Sequence, residues 1–85
     1  MAWQLWIDYH RTDAEGLTHG NIRNVVPGTK LVVGDYILVG NEEADPAVAE
    51  VVHVGPKGLV LVRVLPGPAG EHVHLVGQAN ARAGG

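Results

Sequence analysis

The sequence predicts an all-β fold, a small five- to six-stranded, partly closed antiparallel barrel, and three features carry the prediction. Short valine-rich runs recur from Leu31 onward, and β-branched side chains suit a pleated surface better than a helix. Turn-forming residues punctuate those runs, with 12 Gly and 5 Pro among 85 residues. The chain is 46% hydrophobic and only 18% charged, too apolar for disorder. No apolar run approaches the roughly 20 residues of a bilayer-spanning helix.

The elements follow in order. A first strand is expected at Trp3–Tyr9; Trp3 and Trp6 are three apart, so on a strand they point to opposite faces and both need cover. The polar segment His10–Gly20 reads as a long mobile loop. A weaker strand covers Ile22–Val26 or Lys30–Val33. Gly34-Asp35 and Gly40-Asn41 bracket a strand at Tyr36–Val39. Strands at Val48–Val54 and Leu59–Leu65 are joined by the hairpin loop Gly55-Pro56-Lys57-Gly58. Pro66-Gly67-Pro68-Ala69-Gly70 forbids both ladder and helix, and a last strand is expected at His72–Val76. Residues 1–77 thus form one domain and 78–85 a flexible, glycine-terminated tail. A chain this short removes only roughly 60–65% of its unfolded surface from water, so its stability margin is small.

Strand register follows from the apolar pattern, because a one-residue slip exchanges the two faces. With Val54 opposite Leu59, Val51 faces Val62, Ala49 faces Val64 and Glu50 faces Arg63. Pairing Val64 with Val73 and Val62 with Leu75 then extends an apolar face of Ala49, Val51, Val60, Val62, Val64, Val73 and Leu75. The other face carries a polar row, Glu50, Arg63 and His74, beside Val48, Val52, Val54, Leu59, Leu61 and Leu65. A monomer rarely exposes so much contiguous apolar area. The strip Val52, Val54, Leu59, Leu61 and Leu65 is therefore the expected contact with a second copy or another protein.

The run Leu31-Val32-Val33-Gly34-Asp35-Tyr36-Ile37-Leu38-Val39, followed by Ala49-Glu50-Val51-Val52 and a glycine-containing hairpin, resembles the hydrophobic-Gly-Asp turn and meander of SH3-like small barrels. The resemblance spans residues 31–77 and implies a binding or accessory module rather than a catalyst. The basic residues of nucleic-acid-binding members and the aromatic groove of peptide-binding members have no counterpart in this pattern.

Composition excludes several functions. Without cysteine there is no disulfide framework, thiolate metal site or thiol nucleophile. Serine is missing too, which removes Ser-His-Asp hydrolysis and leaves hydroxyls on Thr12, Thr18, Thr29, Tyr9 and Tyr36. A net charge of −3, with the cations scattered along the chain, disfavours nucleic acid. Met1 to Asp8 has no basic region ahead of its apolar residues, unlike a signal peptide, so a cytoplasmic location is expected.

His72-x-His74 is the sharpest chemical feature. On a strand the two would share a face roughly 7 Å apart, close enough for one metal. A third ligand is lacking, since His53 falls on the other face, so the pair is read as surface residues pairing with Glu71, Glu50 or solvent, and no metal site is expected. His10 and His19, with Asp8, Asp13 and Glu15, form an acid–base or metal group only if the loop folds back on itself. Glu42, Glu43 and Asp45 form an acidic loop that favours solubility and protects a strand edge. Pro27-Gly28-Thr29-Lys30 lacks a phosphate-loop frame and reads as a turn. The expected function is a non-enzymatic, self-associating interaction or accessory module without cofactor. The alternatives are a metal-binding protein or small metal-dependent enzyme using His72 and His74, and a weak nucleic-acid binder.

Overall fold

A computed structural model describes residues 3–76. Five strands form one curled sheet: β1 (Leu5–Trp6), β2 (Thr18–Asn21), β3 (Tyr36–Asn41), β4 (Ala44–Val54) and β5 (Leu59–Val64), in the order β1-β3-β4-β5-β2. The sheet is mixed rather than wholly antiparallel, because β1 runs parallel to β3. Beyond β2 the chain makes a 3₁₀ turn at Ile22–Asn24 and returns to β1. There Leu5 bridges Val25, and Val26 N–H donates to Gln4 O at 2.8 Å. That return joins the two ends of the sheet into a partly closed barrel.

The alternation of β3, β4 and β5 builds the interior. Ile37 and Val39, Ala47, Ala49 and Val51, and Val60 and Val62 turn inward against Leu5 and Ile7. The central register is the expected one: Ala49 opposite Val64, Glu50 opposite Arg63 and Val51 opposite Val62. A bulge between Val51 and His53 then places Val54 opposite Val60 rather than Leu59. The extra residue reverses the facing of the strand end, so Val54 packs against the core instead of joining the outer strip.

Four expectations from the sequence need correction. The first strand shrinks to Leu5–Trp6, because Asp8 Oδ1 accepts His10 N–H at 3.0 Å and starts a 3₁₀ turn at Tyr9–Arg11. Neither Ile22–Val26 nor Lys30–Val33 is a strand; of the first, Val25 alone makes a bridge. His10–Gly20 is an ordered hairpin. Thr12 bridges Thr18, Asp13 Oδ1 accepts the Glu15 and Leu17 amides, and Gly16 takes the turn at φ 82°. Finally, His72–Val76 is not a strand but 3₁₀ turns at Ala69–Glu71 and Val73–Leu75. Prolines 66 and 68 have no N–H to continue a ladder, and the Glu71 and His72 amides bond three residues back, to Pro68 and Ala69. Val62 is therefore paired with Thr18, not Leu75, and Val73 is 49% exposed.

The C-terminal turn at Ala69–Glu71 lies against β4. Val48, on the outer face, is wholly buried. The expected tail, 78–85, lies outside the described residues.

Candidate functional site

Beside β2 an open cleft of about 230 Å³ is assembled from four parts of the chain. β1 contributes Trp6, the turn after it Asp8 and Arg11, β2 the segment His19–Asn21, and the β4–β5 connection with the first residue of β5 Lys57 and Leu59. Gly20 lines the cleft with bare backbone. Ile7 Cγ2 and Leu5 Cδ2 lie 3.5 Å from where a Cβ on it would fall, an ordinary van der Waals distance. Gly58, in contrast, is required: at φ 80°, its Cβ would fall 2.9 Å from Ile22 Cγ2. The hairpin loop is thereby docked on Asn21–Ile22, which brings Lys57 to the cleft.

Most carboxylates around this site already have partners. Trp6 Nε1–H donates to Glu42 Oε1 at 2.8 Å, which fixes the indole and holds the Glu42 carboxyl below its ordinary range. His19 Nε2 lies 3.1 Å from Asp13 Oδ2. That bond first, then the Leu17 and Glu15 amides, holds the Asp13 carboxyl below its usual range. Asp8 Oδ1 is 3.2 Å from His10 Nδ1. Arg11 and Lys57, in contrast, have no carboxylate partner among the described residues. Lys57 also sits at φ 61°, ψ 22°, the one non-glycine residue among those described with a left-handed backbone. That conformation costs an ordinary residue about 1–2 kcal/mol, and strain of this kind clusters where a site holds it in place.

The lining offers two cations, an indole, an amide, a leucine, the Asp8 carboxylate and the His19 imidazole, but no hydroxyl or thiol nucleophile. The nearest hydroxyl on β2, Thr18, is buried and 2.8 Å from Thr12 Oγ1.

The residues singled out from the sequence are dispersed. Glu50 and Arg63 of the polar row pair at 3.6 Å, but His74 lies away from them on the turn Val73–Leu75. The His72 ring Nε2 is 2.7 Å from Pro66 O, so with that nitrogen protonated it donates to the carbonyl. With no strand there, the shared-face geometry for a metal lapses, and no cluster of three or more metal-ligating side chains occurs among the described residues. Of the apolar strip, Leu59 is 37% exposed, Val52, Leu61 and Leu65 are half-buried, and Val54 faces the core. Asp8 and Asp13 each take one histidine, His10 and His19, instead of forming one group. The Gly28–Lys30 turn borders a second recess, of about 180 Å³, with Asp35 and Tyr36. Trp6, Arg11 and Lys57 were not legible as a site; the Gly-Pro-Lys-Gly loop was the one local signal for any of them.

Among the described residues no helix is long and apolar enough to cross a membrane. Comparison with known protein families, curated proteins and solved structures finds no match for this chain.

Proposed function

We propose that the protein is a non-enzymatic β-barrel interaction module that self-associates. One observation carries the reading: along β5 the valines Val60 and Val62 fill the interior, while Leu59 and Leu61 are left partly exposed on the other face. Val52, beside the β4 bulge, and Leu65, just past β5, extend that apolar surface. A second copy is the occupant proposed, since a strip on one face can pack on itself about a two-fold axis. Stable protein contacts cover about 800 Å² per partner. These few side chains supply only the centre of such a patch, so association is expected at micromolar concentration. The cysteine-free chain suits a cytoplasmic site of action.

Sedimentation across a concentration series tests this. The mass should rise above 9.0 kDa with concentration, and Leu61→Glu should return it to one chain with unchanged circular dichroism. A single-chain mass throughout the micromolar range would end the proposal.

A further inference from the structure

We infer that the cleft between Trp6 and Lys57 binds a small organic anion: a carboxylate or phosphate head group on a compact apolar body. The charge balance specifies the head. Asp8, which also lines the cleft, and Asp13 each lie beside a histidine, His10 and His19, and Glu42 accepts the indole N–H of Trp6. Arg11 and Lys57, which line the same cleft, have no carboxylate partner among the described residues. Two cations from separate parts of the wall, one on the turn after β1 and one on the β4–β5 loop, suit an acceptor group bound in the cleft.

The walls specify the body. The indole of Trp6 is held by its bond to Glu42, and Leu59 faces the same space. Gly20 contributes bare backbone. A volume of about 230 Å³ corresponds to about eight water molecules at their share of the liquid, enough for a head group and one ring.

The backbone supplies the independent sign. Position 57 requires the left-handed conformation, which glycine adopts without strain. A lysine occupies it nonetheless, and it lines the cleft. A side chain held there against its backbone preference points to use of its ammonium group.

This inference does not rest on self-association, and Leu61→Glu should leave it intact. Benzoate, phenyl phosphate and the neutral benzyl alcohol are titrated into ¹⁵N-labelled protein. At least one of the two anions should give saturable shifts of the Trp6 indole N–H and the His19 and Gly20 amides, with Kd of about 1 mM, as expected for a ligand of this size. Whichever binds more tightly identifies the head group. Lys57→Gly, which removes strain and so should fold, and Arg11→Gln should each weaken binding at least about tenfold. Failure of both anions to give saturable shifts would overturn the inference. So would equal binding of benzyl alcohol, or full affinity in both variants.

Discussion

Truncating Leu5 should bring the fold close to unfolding. Leu5 is wholly buried, pairs with Val39 on one side, bridges Val25 on the other, and would lie 3.5 Å from a Cβ placed on Gly20. It is the side chain at which the two ends of the sheet meet. Leu5→Ala removes three carbons, worth about 2.4 kcal/mol at about 0.8 kcal/mol each. The unfilled cavity raises the loss to about 3–5 kcal/mol. Scaled to this chain length, ordinary domain stability is about 4–13 kcal/mol, so the variant forfeits about a fifth of it at the least. Urea unfolding followed by tryptophan fluorescence reads the change as a lower midpoint at constant slope. Val33→Ala, at a residue 59% exposed, serves as control and should stay within about 0.5 kcal/mol of the parent. A loss below about 1 kcal/mol for Leu5→Ala would refute the ring closure through β1.

Three further outcomes follow from single side chains. Gly58→Ala should cost about 2 kcal/mol in the same urea assay, because a side chain at φ 80° is strained and its Cβ would crowd Ile22 and Asn21. Tyr9→Phe should be neutral or stabilising by about 1 kcal/mol, since the Tyr9 hydroxyl is buried without a hydrogen-bond partner; a clear destabilisation would show that the hydroxyl is bonded. In an NMR titration, Asp13 should lose its charge below the ordinary aspartate range, and His19→Ala should move it back up. Its folded-state pKa is depressed. The stability it contributes is therefore present above the unfolded value, about pH 4, and is lost as pH falls through the lower folded value. An Asp13 that titrates normally in the parent would contradict the Asp13–His19 bond.

The sequence was legible where burial and alternation coincide. Ala49, Val51, Val60 and Val62 all face the interior, and the Glu50–Arg63 pairing follows from their register. It misled where a strand buries little of its own. β2 reads Thr-His-Gly-Asn, with Thr18 its one fully buried side chain. No apolar period marks such a strand. Val73 and Leu75 carry a period-two pattern but follow Pro66 and Pro68, and the local turn chemistry prevailed over the pattern. The bulge in β4 has no proline or glycine to announce it, and it alone moves Val54 indoors. The cleft was invisible for the same reason as β2, since its walls meet only when that strand lies beside β5.

The position of β2 carries both the barrel and the cleft, and cross-strand nuclear Overhauser effects test it directly. Backbone contacts between Thr18 and Val62, and between Gly20 and Val60, are the expected result. Contacts from Val62 and Val64 to Leu75 and Val73 in their place would put the histidine segment beside β5 and dismantle the site.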